Sequence, residues 1–394
     1  MDSKTIVVVG GGYAGIHAVS RIRKEWKQEL SEGRLKLVLI DRQPYHLRKV
    51  LLFQPAAGGQ DIRLPFERMF PQDVTFMQAA VTGIDRDAKT LTAVGGSGEE
   101  IGVAYDWLVL AAGSVVRRPD PAAGGMPLAD VDDARRIGEA WRDNLKRAAG
   151  TADPAERRRW MTVAVAGAGI SGIETSAELA HYMRAEAQAQ GLDPAEAGVV
   201  LLNAHGRLFP EGPAKVGEKL AAALAEAGVQ VVHGSKAVQA TENEVCLADG
   251  RRVKAGLCVW TLGLLPSPLL RGLGLPLAPD GCLLVDGSYR VPGADGVYAI
   301  GDCARIVDAA TGRADGKTCK EASAQAARLA KVIAADRDGR AAPAHKSFMD
   351  FFCFGLGPER GMAWTRQWGL DIVVTGKLGW RIRRYTWDLA SLLN

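Results

Sequence analysis

The sequence predicts an α/β fold: two parallel sheets wound with helices, and a small C-terminal element. Three observations carry it. The stretches IVVVGGGYAGIH at 6–17 and VAVAGAGISGIE at 163–174 are two copies of one pattern, an apolar strand that breaks into G-x-G-x-x-G and continues as a helix. At 394 residues the chain exceeds what one hydrophobic core usually serves, so each copy is expected to anchor its own domain. The stretch 343–394 differs from the rest, holding Trp364, Trp368, Trp380 and Trp387 of the chain's 9 tryptophans.

Within the first copy, Ile6 to Val9 is the continuous β-branched run of a strand buried on both faces. Gly10, Gly12 and Gly15 follow, one for a tight turn, one for close approach of a pyrophosphate, one for helix-to-strand packing. Backbone N–H groups at the helix start then receive phosphate. The next strand, Leu35 to Ile40, ends on Asp41, a carboxylate suited to a ribose. The second copy repeats the turn with Gly167, Gly169 and Gly172, and its following strand ends on Asn203. Two such units imply two dinucleotides. Asn203 can bond a ribose hydroxyl but lacks the charge that repels a 2′-phosphate, and Arg207 can pair with one, so NADH and NADPH both stay open. The alternative for Asn203 is a strand end without ligand contact.

Composition narrows the classes. With 49 Lys plus Arg against 45 Asp plus Glu, the net charge of +4 is too small and dispersed for a nucleic-acid partner. The cysteines (246, 258, 282, 303, 319 and 353) form no close pair, which argues against a metal site or a redox dithiol. The N-terminus reads as a strand rather than a signal peptide, and no apolar run is long enough to span a bilayer, so a cytoplasmic protein is expected.

The order of motifs is itself informative: TIVVVGGGYAG at 5–15, AAVTGID at 79–85, YDWLVLAAGS at 105–114, VAVAGAGISGIETSAEL at 163–179, VWTLGLLPSP at 259–268 and GVYAIGDCA at 296–304. It resembles the two-dinucleotide-binding-domain flavoproteins of the pyridine nucleotide-disulfide oxidoreductase superfamily, most closely the branch of type II NADH dehydrogenases and apoptosis-inducing-factor-like proteins. The resemblance implies two Rossmann-like domains, with FAD in the first and NAD(P)H in the second. It places further nucleotide contacts at Val81, Ala112, Gly113, Gly263, Gly301 and Asp302; for Asp302 the alternative is a helix N-cap. Gly113 and Gly263 also read as the two crossings between domains. The domains are expected at 1–115 and 285–342 for FAD, 116–284 for NAD(P)H, and 343–394 for the C-terminal element. Asp130 to Ala149 reads as a solvated surface helix, and Val229 to Arg252 as a β-meander.

Three residues stand out as carriers of chemistry under this resemblance. Glu174, close to where the nicotinamide would lie, is expected to pair with Lys49 beside the flavin; Lys49 as a plain surface lysine is the alternative. Lys320 could bond the flavin or the acceptor carbonyl. His46 reads as structural. The implied reaction passes hydride from NAD(P)H to flavin and electrons on to a quinone or similar small molecule. The alternatives are reduction of a ferredoxin-like carrier, which needs a basic patch such as Arg117, Arg118 and Arg157 to Arg159, or a redox-sensing role. At the C-terminus, Leu378, Ile382, Tyr385, Leu389, Leu392 and Leu393 form a helical stripe expected to pack on the body, leaving Trp380, Arg383, Arg384 and Trp387 on other faces. Those leftover aromatics and cations would suit a membrane surface or a second copy of the chain.

Overall fold

The computed structural model describes residues 3–70 and 72–393. The β-branched run becomes the strand Lys4–Val9, with Ile6, Val7 and Val8 fully buried. It lies between Leu35–Asp41 and Trp107–Leu110, parallel to both. The whole sheet has seven strands, in the order Val297–Ala299, Trp107–Leu110, Lys4–Val9, Leu35–Asp41, Thr75–Asp85, Thr90–Gly95, Glu100–Ala104. Thr75–Asp85 serves two partners: it starts parallel to Leu35–Asp41 and, across a register shift between Val81 and Gly83, pairs antiparallel with Thr90–Gly95. On one face the helix Tyr13–Glu25 packs against the helix Cys319–Arg337.

The second glycine run builds a five-stranded sheet, all parallel, in the order Met126–Pro127, Leu257–Trp260, Thr162–Ala166, Gly198–Asn203, Val229–His233. An antiparallel meander of Ala237–Ala240, Glu244–Leu247 and Arg252–Lys254 follows, so Val229–His233 belongs to the parallel sheet and only the later part of the expected meander is one. The helix Val131–Ala149 is not the solvated helix its mixed charge predicts. Asp130 caps it, while Ile137, Trp141 and Leu145 bury one face and Trp141 Nε1 donates to Ala56 O at 3.0 Å.

Two short strands, Ser114–Val116 and Leu264–Pro266, carry the chain out of the first unit and back, and they pair antiparallel with each other. The return is therefore earlier than residue 284. Leu270, Leu273, Leu275 and Leu283 lie in the core of the first sheet, which places 267–284 with the first unit rather than the second. The expected domains are also interlocked, because Leu51, Phe53, Ala56 and Ala57 sit in the second unit's core.

The C-terminal element holds a three-stranded antiparallel sheet, Phe351–Gly355, Gly361–Gln367 and Leu370–Thr375, then the helix Gly376–Ala390. This helix turns the expected face outward. Gly379, Arg383, Trp387 and Ala390 are buried, while Leu378, Tyr385, Leu389 and Leu393 are exposed. One reason is close approach: a Cβ on Gly379 would stand 2.4 Å from Gly361 O, so the helix can come this near the sheet only with Gly379 facing it.

Candidate functional site

Both glycine turns have one design. Gly10 adopts φ +101°, and a Cβ there would meet Ala111 O at 2.4 Å; a Cβ on Gly15 would meet Gly10 O at 1.7 Å. Gly167 (φ +119°) and Gly172 repeat this against Thr261 O and Gly167 O, at 2.3 and 1.8 Å. These four glycines are required by the protein's own backbone. Gly12 and Gly169 are not: φ is −71° and −70°, and no protein atom lies within 4 Å of where a Cβ would be. Each is the N-cap of a long helix without a side-chain cap, whereas Asp130 and Thr318 cap theirs. Open backbone N–H groups over an open space fit a dinucleotide pyrophosphate at both turns.

Around the first turn, Asp41 closes the frame by accepting from Gly11 N at 2.6 Å and Gln43 N at 2.8 Å. Burial pushes its carboxyl up. Val81 stands at the bulge of its strand, and Ala112 is half-buried beside the crossing glycine Gly113 (φ +64°). His46 is buried as a brace, its Nδ1 2.9 Å from Gly11 O, and burial lowers its pKa to about 4. Gly301, at φ +76°, sits over Ala14 at the helix start and donates to Gln325 Oε1 at 2.8 Å. Asp302 does not cap a helix. It accepts from Ser114 Oγ at 2.6 Å, and Lys49 Nζ donates to Ser114 O at 2.8 Å. Burial raises the Asp302 carboxyl and lowers the Lys49 ammonium, opposed in both by their mutual charge.

The Lys49–Glu174 pair expected from the sequence is absent, since Lys49 is held by Ser114. Glu174, 2% exposed, is gripped at two points by Arg383, with Nε–Oε1 at 2.7 Å and Nη2–Oε2 at 2.9 Å. Gly355 N adds a third bond at 2.7 Å. Arg383 is the site residue that sequence reasoning missed; it counted as a leftover cation on the wrong face. Lys320 donates to Phe351 O and lies 4.4 Å from the Phe352 ring centroid. Desolvation lowers its pKa, and Cys319, Cys353 and Glu321 counter it. Cys319 and Cys353, remote in sequence, thus share surroundings with Lys320 and Arg383, and burial drives the Cys353 thiol up to about 12.

At the second turn Gly263 adopts φ +83° next to the return strand. Asn203 and Arg207 point inward rather than toward a ligand. Asn203 Nδ2 donates to His205 O and Arg207 O at 3.0 and 2.9 Å, and its Oδ1 accepts from His205 N at 3.2 Å. Arg207 donates to Phe209 O, Pro210 O and Gly212 O. Both side chains shape the loop, which favours the strand-end reading of Asn203 and removes Arg207 as a free partner for a 2′-phosphate. Among the described residues no cluster could hold a metal ion.

Residues 4–328 match the family model described as pyridine nucleotide-disulphide oxidoreductase. The chain belongs to this family. Relatives agree along most of its length. It is 26% identical over 342 residues to the type II NADH:quinone oxidoreductase of Staphylococcus aureus, covering 84% of this chain and 82% of that one. The family fold extends to solved structures. NDH2 of Plasmodium falciparum in complex with NADH superposes with a TM-score of 0.83 at 15% identity, over 98% of this chain and 94% of that one. A ferredoxin reductase from Rhodopseudomonas palustris gives 0.70 at 22% identity, over 92% and 82%.

Proposed function

We propose that this oxidoreductase oxidises NAD(P)H through FAD and reduces a quinone or quinone-like small molecule. The observation that carries the reading is the pair of open glycine cradles, where Gly12 and Gly169 each face a space that no protein atom fills, with the buried Glu174–Arg383 pair on the helix that starts at the second. FAD, when bound, accepts hydride from a nicotinamide and passes the electrons on. The first turn with Asp41, Val81, Ala112, Gly113, Gly301 and Asp302 would hold it, and the second turn with Gly263 would hold the nicotinamide nucleotide. Lys49, fixed by Ser114 beside Asp302, places positive charge on the flavin side. Glu174, buttressed by Arg383, keeps a carboxylate near the nicotinamide side, and Lys320 supplies a donor at the start of a helix on the acceptor side.

The type II relative supports quinone as acceptor, and the basic patches do not favour a carrier protein. Arg118 is paired with Asp130 and Asp133, Arg157 with Glu196 and Arg159 with Glu156. Contact with a membrane surface through the exposed side of the C-terminal helix belongs to the same reading. Among the described residues no helix is long and apolar enough to cross a membrane, and the proposed contact is one of an exposed helix face with the lipid surface. Rapid mixing decides the acceptor: reduce the protein with NADH or NADPH, then add naphthoquinone, a ferredoxin, or oxygen. Fast reoxidation by the quinone alone is expected; reoxidation only by the ferredoxin, or by none of the three, refutes the reading.

A further inference from the structure

A cavity of about 250 Å³ opens where the helix Ile170–Ala189, the segment before Phe53–Ala57, the turn after Gly355 and the C-terminal helix meet. Glu178 lines it, one helical turn beyond Glu174, and is only 9% exposed. Among the described residues it has no hydrogen-bonding or ion-pair partner. The charged groups that face the cavity from the other elements are engaged or point elsewhere. Arg48 is paired with Asp388 at 2.7 Å, and Arg384 lies over the Trp380 ring. On its own helix, Glu178 feels the charge of Glu174, already tied to Arg383, while Tyr182, which also lines the cavity, accepts from Gln60 through its hydroxyl. Trp387 Nε1, at the same wall, is buried without a partner. A buried carboxyl left so bare costs stability, and packing alone does not require its charge.

The chemistry of the proposed reaction leaves a proton to be found. Reducing a quinone to a hydroquinone takes two electrons and two protons. NAD(P)H supplies both electrons and one proton as hydride, so the second proton comes from water. We propose that Glu178 is the proton intake for quinone reduction, taking a proton from water in the cavity and passing it inward past the Glu174–Arg383 pair toward the cluster of Lys320, Cys319 and Cys353. Each turnover moves one proton from water to the second hydroquinone oxygen and returns Glu178 to its protonated state. The cavity is wide enough for water, and among its mostly apolar lining Glu178, Tyr182 and Asp388 offer polar groups to hold it. Burial first, and the neighbouring Glu174 second, push the carboxyl from 4.5 up to about 7, where it can both hold and release a proton. Glu178 acts through Glu174 and is a positioning residue for the proton rather than a catalytic one. The inference rests on the quinone reading above.

Two measurements on the flavin-loaded protein test it. Labelling with dicyclohexylcarbodiimide, mapped by peptide mass spectrometry, reports a protonated carboxyl in a mostly apolar cavity without any turnover. Modification of Glu178 is expected to fall as pH rises through about 7 and to vanish in E178Q. In rapid mixing with naphthoquinone, the wild-type reoxidation rate is expected to fall across the same pH interval. In E178Q it is expected to be slower by tenfold or more and flat with pH, with E178D restoring the pH dependence. The NADH-oxidising step of the same sample is the internal reference. Labelling that ignores pH, or an E178Q rate and pH profile equal to wild type, overturns the proton role while leaving the quinone reading intact. Wild type that labels as expected but never reduces the quinone overturns the acceptor, and the proton role with it.

Discussion

Single residues separate what the fold needs from what a ligand needs. At Gly15 a methyl group would strike Gly10 O at 1.7 Å, so G15A is expected to destabilise the protein by about 3 kcal/mol or more whether or not nucleotide is present. At Gly12 nothing of the protein is in the way. G12V should leave the melting curve of the ligand-free chain within about 0.5 kcal/mol of wild type, yet abolish flavin retention measured by visible absorbance after gel filtration. Glu178 adds a residue with the opposite sign from most carboxylates. Because its folded pKa is raised, its contribution is fully present below the unfolded value of 4.5 and is lost as pH rises through about 7. E178Q should therefore gain on the order of 3 kcal/mol at pH about 8 and nothing at pH about 4, read from urea unfolding. The glycines and Asp41 were legible in the sequence, because each answers a steric or hydrogen-bonding demand that spacing expresses. Arg383 was not, since nothing local to residue 383 encodes that its partner lies on the helix after the second glycine turn. Glu178 was not legible either, since only the structure shows that it is buried at a cavity with no partner among the described residues.

Among elements, the C-terminal helix is the clearest case of tertiary context overruling a local pattern. Its leucine stripe is the better amphipathic face on paper, but the buried Glu174–Arg383 pair, the Gly379 contact and Trp387 against Phe53 decide the rotation. Removing one half of such a pair strands a buried charge. R383M should cost about 3–5 kcal/mol, and the double variant E174M/R383M should be more stable than R383M alone, as a thermal-melt double-mutant cycle would register. The loop after Gly198–Asn203 carries a milder forecast. With Asn203 and Arg207 both bound to loop carbonyls, the strand end carries an amide rather than an acid to reject a 2′-phosphate, and Arg207 is not free to capture one. The kcat/KM values for NADH and NADPH should accordingly lie within about tenfold of each other in steady-state assays. Parallel strands and their glycine turns were readable because burial on both faces leaves a continuous apolar run. The three antiparallel strands of 351–375 were not, since their exposed positions include Leu370 and Ile372 and blur the alternation.

At the scale of the whole molecule, the C-terminal helix ties the parts together. Arg48 bonds Asp388 and Ser391, and His17 Nε2 lies 3.0 Å from Ala390 O. Burial lowers the His17 and His46 pKa values to about 4, so the stability they contribute is present above 6.5 and lost as pH falls through about 4. Acidification should lower the urea midpoint across that interval, and less steeply in H17Q. The opposite face of the same helix exposes Leu378 and Leu389, and Leu393 is exposed just beyond its end. If it meets a lipid surface, replacing these three with serine should reduce cosedimentation with anionic vesicles severalfold while leaving the melting temperature unchanged; equal cosedimentation would argue against that contact.

The split of the first sheet also bears on how the chain acquires its structure during synthesis. The edge strand Val297–Ala299 and the helix Cys319–Arg337, both needed to finish the amino-terminal unit, leave the ribosome only after the second parallel sheet is complete. The later unit, whose strands are nearly contiguous, is thus placed to fold ahead of the earlier one, while the nascent amino-terminal half waits with an open hydrophobic edge.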